Sequence, residues 1–193
     1  MIKLDLGSGE YLRDGFESVD LFMPDAIHKV NLFMFPWPWE DSSIDELHCS
    51  HFIEHIPMTW VTSRTSNLGD KYDEHSHIPL NSESRDLFCM FFNEAYRILK
   101  PGGLFTVVWP ALQSTRAFQD PTHRRFIPTE ALLYLSAKWR LDNKIGHYLC
   151  SCNFNVETCE MSIPQHLVEA SKQDVITCWN IVENYMATLK AVK

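Results

Sequence analysis

The feature that most constrains the fold is an apolar run, Ile2-Lys3-Leu4-Asp5-Leu6, that stops abruptly at Gly7-Ser8-Gly9. Such a pattern reads as a strand entering a tight loop. In an open parallel sheet, ligands bind beyond the carboxyl ends of the strands. Glycines there let the backbone turn sharply and approach a ligand closely. A second strand is predicted over Glu17 to Leu21, which brings Asp20 to its end, where a carboxylate can accept hydrogen bonds from a ribose diol. The segment between them, Glu10 to Phe16, is too short for a full crossover helix, and Tyr11 stands where a dinucleotide loop would use a third glycine. A nucleoside cofactor without phosphates fits better than NAD. A bare G-x-G also fits a simple turn, so the argument needs the rest of the chain.

A third strand is expected over Ala26 to Leu32, and a fourth over Ile44 to Ser50. Between them, Phe35-Pro36-Trp37-Pro38-Trp39 cannot be regular structure, because its prolines remove donors and restrict their predecessors. From Thr59 to Asn81 the chain is polar and reads as an insertion, a long loop or a lid. Ser82 to Leu99 is the clearest helix, with Leu87, Met90, Phe91, Ala95 and Ile98 on one face and Pro101-Gly102-Gly103 ending it. Leu104 to Trp109 reads as a fifth, fully buried strand. Pro128 is expected to open a short helix reaching Ala137, and two late strands lie near Asn153 to Met161 and Tyr185 to Val192. Strand and helix alternate without a linker or repeat, which predicts a single α/β domain over residues 1–193 with a largely parallel sheet.

Composition excludes several classes. A formal net charge of -8 argues against a surface that neutralises phosphates, and the pair Arg124-Arg125 is too small to make one. The six cysteines contain no C-x-x-C pair, and Cys150-Ser151-Cys152 has the wrong spacing for a zinc knuckle. Reduced thiols, the lack of a signal-peptide pattern and the lack of a membrane-length apolar run predict a cytoplasmic protein.

Taken in order, Asp5-Leu6-Gly7-Ser8-Gly9, Val19-Asp20-Leu21, Asn31-Leu32, Phe35-Pro36-Trp37, Ser50-His51-Phe52-Ile53-Glu54-His55-Ile56 and Tyr96-Arg97-Ile98-Leu99-Lys100-Pro101-Gly102-Gly103 resemble the class I methyltransferases. The similarity is greatest to the broad group labelled type 11, with its bacterial and phage members, and it covers residues 2 to about 126. The resemblance implies a Rossmann-like fold: a mostly parallel seven-stranded sheet flanked by helices, with a final antiparallel strand and a shortened first crossover helix. It implies S-adenosylmethionine as cofactor. Asp5, Leu6, Gly7, Ser8 and Gly9 would hold its methionine end, and Asp20 its ribose hydroxyls. Leu21 and Leu32 would contact the adenine, and His51 would line the cleft. Asn31 stands where relatives carry aspartate; its carbonyl oxygen can still accept from the adenine amino group.

Similar proteins also carry a run like Asp120-Pro121-Thr122-His123, which would overhang the cofactor mouth. Methyl transfer asks the protein to orient the acceptor, exclude water and, where needed, remove one proton. His123 is the candidate general base and Asp120 the group that orients it; both residues equally suit bracing the loop or capping the helix near Pro128. His51-Phe52-Ile53-Glu54-His55 also spells H-x-x-E-H, which on a helix would set two histidines on one face for zinc. Its position straight after a strand, with no third ligand nominated downstream, argues against that, and no metal is expected there or at His75-Ser76-His77. No Asp-Pro-Pro-Tyr or Asn-Pro-Pro-Tyr run follows the fourth strand, and no Pro-Cys pair, which disfavours DNA as acceptor. The expectation is therefore methyl transfer to an oxygen or nitrogen of a small molecule. A cofactor-binding protein without catalysis and a zinc hydrolase using His51, Glu54 and His55 stand as alternatives.

Overall fold

The computed structural model describes residues 1–58, 60–61, 85–146 and 150–193, with backbone alone at 60, 61 and 85. Its centre is a mixed sheet of six strands among the described residues: β1 (Lys3–Leu6), β2 (Glu17–Val19), β3 (Ile44–Ser50), β6 (Leu99–Pro110), β7 (Phe154–Ser162) and β8 (Asn184–Ala191). The order across the sheet is β2-β1-β3-β6-β8-β7. The first four of these run parallel, and β8 is inserted antiparallel between β6 and β7. Two-residue strands β4 (Trp60–Val61) and β5 (Arg85–Asp86) pair separately. The insertion expected from Thr59 to Asn81 otherwise lies outside the described residues, as do His75 and His77.

The longest helix among the described residues, α1 (Leu87–Ile98), forms where the apolar periodicity places it. Asp86 caps it, its side chain accepting from the amides of Phe88 and Cys89. Phe91, Phe92, Ala95 and Ile98 are fully buried against Leu47, Phe105 and Leu189 of the sheet. The helix passes into β6 at Leu99, ahead of the Pro-Gly-Gly turn, which sits on a bulge between the Ile44–Leu99 and Glu46–Leu104 pairings. Gly103 is required there: a Cβ on it would lie 3.1 Å from the Asp45 carbonyl oxygen and 2.9 Å from Leu99.

Four expectations change. No strand forms over Ala26 to Leu32; a single bridge from Val19 to His28 replaces it, so the sheet has six strands and not seven. The reason is local: Ile27 and Lys29 face solvent, and the Asn31 side chain captures the Phe33 amide in a turn. The first crossover is not a shortened helix but has no helix at all between β1 and β2. The short helix expected from Pro128 forms as a 3-10 helix over Thr129–Leu135 with Pro128 at its N-cap, but it stops before Ala137, where a new helix, α3 (Ala137–Asp142), starts on the Ser136 cap. Short helices α2 (Arg116–Gln119) and α4 (Lys172–Thr177) and the 3-10 turns Ile53–His55 and Gln165–Leu167 complete the described elements.

The irregular Phe35–Trp39 segment plugs the core. Trp37 is buried, its amide donating to Glu94 Oε1 at 2.6 Å and its indole to the Leu32 carbonyl at 3.3 Å. Arg97 joins Glu94, Asp41 and the Trp37 carbonyl, and these carboxylates raise its already high pKa further. No helix among the described residues is long and apolar enough to cross a membrane.

Candidate functional site

The parallel strands β1, β2, β3 and β6 leave their carboxyl ends along one edge of the sheet, and the sequence-predicted residues gather there. Gly7 and Gly9 both take left-handed backbone, at φ +66° and +57°. Gly7 donates to the Val19 carbonyl at 2.8 Å, tying the loop to the end of β2. A Cβ on Gly7 would stand 2.4 Å from the Phe52 ring, whereas one on Gly9 would meet nothing within 4 Å. Gly7 thus serves packing, and Gly9 opens a space.

Asp20 organises that space. Its Oδ1 accepts from Phe22 and Met23 amides and its Oδ2 from the Gly9 amide at 3.1 Å. A carboxylate has about four lone-pair sites, so one acceptor position on Oδ2 is left for a ligand. The hydroxyl of buried Ser8 has no hydrogen-bond partner, a second open polar group in the same loop. Leu21, next to Asp20, is exposed. Asn31 and buried Leu32 stand in the following turn, and Phe33 beside them stacks on Phe52 at 5.3 Å. The Phe52 ring is therefore the point where the glycine loop, the Asn31 turn and the segment after β3 meet.

Asp5 sits beneath the loop and points sideways into the sheet. Its Oδ1 accepts from His48 Nδ1 at 2.6 Å, from the strand position paired with it. His48 Nε2 lies 2.8 Å from the Arg13 guanidinium, which only donates. The tautomer follows: the proton is on Nδ1 and Nε2 accepts. Neither His48 nor Arg13 is singled out by sequence reasoning. A histidine inside the otherwise apolar Leu47–Cys49 stretch, in register with Asp5, is the signal that could have found it.

His51 follows β3 with left-handed backbone, φ +53°, its amide bonded to Val108 of β6. Its side chain is exposed and its Nδ1 lies 3.2 Å from Glu54 Oε1. Ile53–His55 is one 3-10 turn, not an α-helix, so the H-x-x-E-H arrangement that a zinc hydrolase needs is not formed. Glu54 is instead turned into the protein, 2% exposed, and its Oε2 has no hydrogen-bond partner. Burial, and then the charges of Glu54 and Asp5, push the Cys49 thiol well up, which keeps it an inert thiol between the two carboxylates.

The loop 120–125 closes over this group. The amides of Arg124 and Arg125 both donate to the Glu54 carbonyl, at 2.8 and 3.0 Å. His123 is largely buried; its Nδ1 donates to the Ala117 carbonyl at 2.9 Å, leaving Nε2 3.9 Å from both Glu54 Oε1 and Asp120 Oδ2. The orienting bond to His123 therefore comes from a backbone carbonyl, not from Asp120. Asp120 Oδ1 is spent on the amide and hydroxyl of Thr122, and these two bonds hold its carboxyl below the usual range. Thr122 Oγ, having given its proton to Asp120, accepts from His55 Nδ1 at 3.0 Å. His55 and His123 meet edge to face at 4.8 Å.

Known structures share this architecture. A SAM-dependent methyltransferase of Archaeoglobus fulgidus is 18% identical, with a TM-score of 0.54 over 97% of this chain and 85% of that one. One from Methanosarcina mazei is 13% identical, with a TM-score of 0.53 over 98% and 92%. The chain has the class I methyltransferase fold. Geranyl diphosphate methyltransferase, solved in complex with SAM, aligns over 99% of this chain and 78% of its own, at 11% identity and a TM-score of 0.52. No protein-family model matches the chain, and no curated protein sequence does. Within this fold the glycine loop, Asp20, the Asn31 turn and the two overhanging loops occupy one edge, and that edge is the candidate site.

Proposed function

We propose that residues 1–193 act as one S-adenosylmethionine-dependent methyltransferase on an oxygen or nitrogen of a small-molecule acceptor. The observation that carries the reading is the open polar pair in the glycine loop: Asp20 Oδ2 with a vacant acceptor position and Ser8 with an unpartnered buried hydroxyl, beside the space at Gly9. The fold, shared with methyltransferases of which one was solved with SAM, supports the same cofactor.

When bound, S-adenosylmethionine supplies an activated methyl group on its sulfonium. Asp20 accepts from a ribose hydroxyl through Oδ2. Asp5, Leu6, Gly7, Ser8 and Gly9 form the floor for the methionine end, with Ser8 as a hydroxyl donor. Leu21, exposed at the rim, and Leu32 cover the adenine, and Asn31 Oδ1 accepts from its amino group with the lone pair that Phe33 leaves free. His51 walls the cleft. With Nδ1 held by the Ala117 carbonyl, His123 would keep the Nε2 lone pair for the acceptor's proton when the methyl group passes from sulfur to the acceptor. Asp120 acts through Thr122, bracing the loop that carries His123.

The test is calorimetric titration of the purified chain with S-adenosylmethionine, S-adenosylhomocysteine and NAD. Saturable binding of both adenosyl compounds and none of NAD is expected. Absence of adenosyl binding removes the reading. Binding that persists while no acceptor in a panel of small hydroxyl and amino compounds is methylated would leave a cofactor-binding protein without catalysis.

A further inference from the structure

Glu54, His55 and His123 place one ligand atom each within 4.8 Å of one another, from two loops that sequence reasoning treats separately. Three independent details make this more than proximity. The first is the Glu54 carboxylate, nearly fully buried, whose Oε2 has no partner. A buried carboxylate oxygen left without a donor is costly. Exposed His51 meets only the other oxygen, its Nδ1 lying 3.2 Å from Oε1, and neither arginine reaches the group: Arg124 sends its guanidinium to the Pro121 carbonyl, and Arg125 sends its own to Ile56, Pro57 and Asp86. A protonated His123 does not fill the gap either, since its Nε2 stays 3.9 Å from Oε1.

The second and third details are the two imidazoles. His123 Nδ1–H is held by the Ala117 carbonyl, and His55 Nδ1–H by Thr122 Oγ, which leans in turn on Asp120. Both rings are thus fixed in the tautomer that leaves Nε2 with a lone pair. Metal-ligating histidines are anchored in this manner, with the second nitrogen donating to a carbonyl or a carboxylate relay.

We propose that Glu54, His55 and His123 bind a divalent transition metal of the zinc class. Two imidazoles with one carboxylate is a donor set that zinc takes with an open coordination position, and one that magnesium and calcium do not favour. Nitrogen and oxygen ligands around such an ion stand about 3.3 Å apart for bonds of about 2.0 Å, so shifts of about 1 Å close the site. This set differs from the H-x-x-E-H reading in using His123 and not His51. Metal binding itself requires nothing of the methyl-transfer reading. What the metal does rests on that reading: an acceptor hydroxyl at the open position is oriented and more readily gives its proton to solvent. Its oxygen then bonds to the methyl carbon as the carbon–sulfur bond breaks. The proton-accepting role of His123 then belongs to the metal-free protein.

The experiment uses the full chain, stripped with chelator and dialysed, titrated with zinc, cobalt and magnesium chloride. One zinc per chain is expected, with visible cobalt bands free of a thiolate charge-transfer band, and no competition from magnesium. His55→Ala and His123→Ala each weaken zinc binding by about 100-fold or more, and His166→Ala, at an exposed histidine outside the group, leaves it nearly unchanged. Glu54→Gln serves as the fold-independent arm. Without zinc it melts near the wild-type temperature, because the amide keeps an acceptor oxygen for His51 and removes a buried carboxylate oxygen that has no donor, yet it loses the rise that zinc gives the wild type. No stoichiometric zinc, a thiolate band, zinc retained by His123→Ala, or metal-free Glu54→Gln melting well below wild type each overturns the assignment. Titration of the same stripped protein with S-adenosylhomocysteine is read separately. Zinc without adenosyl binding leaves the metal site standing and removes methyl transfer; the converse removes only the metal site.

Discussion

Asp20 holds the glycine loop and the ligand position with one carboxylate. Three backbone amides use it in the free protein, so Asp20→Ala loosens the Gly9 loop and also deletes the ribose acceptor. Affinity for S-adenosylhomocysteine is expected to fall by about 1–3 kcal/mol. Calorimetry of the variant beside its circular dichroism spectrum checks this, and unchanged affinity in a folded variant would remove Asp20 from the site. Asp120 offers a second test at the same scale. Its carboxyl is held low by Thr122, so the bond strengthens the fold above the ordinary carboxylate range and is lost as pH falls through the lowered folded value. Thr122→Val deletes the hydroxyl bond, and carboxyl carbon shifts in an NMR titration should move the Asp120 midpoint upward. A midpoint that does not move would mean that the Thr122 amide alone holds the carboxylate.

At the scale of elements, the helix and the His123 loop share one residue. Asp86 caps α1 with Oδ1 and receives Arg125 at 2.9 Å on Oδ2, while the same guanidinium clamps the Ile56 and Pro57 carbonyls. Asp86→Ala removes cap and ion pair together and is expected to cost about 2–3 kcal/mol in urea unfolding; Asp86→Asn keeps the cap and costs about 1 kcal/mol. Equal losses in the two would assign the whole effect to charge. What could be read ahead of the structure follows the same division. The Ile44–Ser50 strand and α1 are legible because their own periodicity decides them, and Gly7, Gly9 and Asp20 because they sit at strand ends. The Ala26–Leu32 run reads as a strand that does not form because a short mixed run carries no signal against the Asn31 turn that captures it. The Glu54–His55–His123 group is illegible because it depends on how the 120–125 loop lands on Glu54, through two backbone bonds that any residue makes.

Across the whole molecule, the parts that would touch a ligand all hang from one end of the parallel strands β1, β2 and β3, and Leu6 and Leu32 root them in the core. The glycine loop is tied to β2 by Gly7 and to Asp20 by Gly9, and Phe52 ties it to the Asn31 turn and the Glu54 segment. A ligand seated there engages connections that unfolding must separate, so it stabilises the native chain by mass action. At a 100-fold excess over its dissociation constant the gain is about 2.7 kcal/mol. For a chain of this size each kcal/mol moves the melting temperature by about 2–4 °C, which gives about 5–11 °C with S-adenosylhomocysteine and no shift with NAD. Gly7→Ala sharpens the measurement, because its methyl collides with Phe52, whose ring stacks on Phe33 and on Phe91, and so displaces the loop. That variant should lose most of the ligand-induced rise at the same ligand concentration. A full rise in Gly7→Ala would place adenosyl binding away from this edge of the sheet, and an equal rise with NAD would return the glycine loop to the dinucleotide reading.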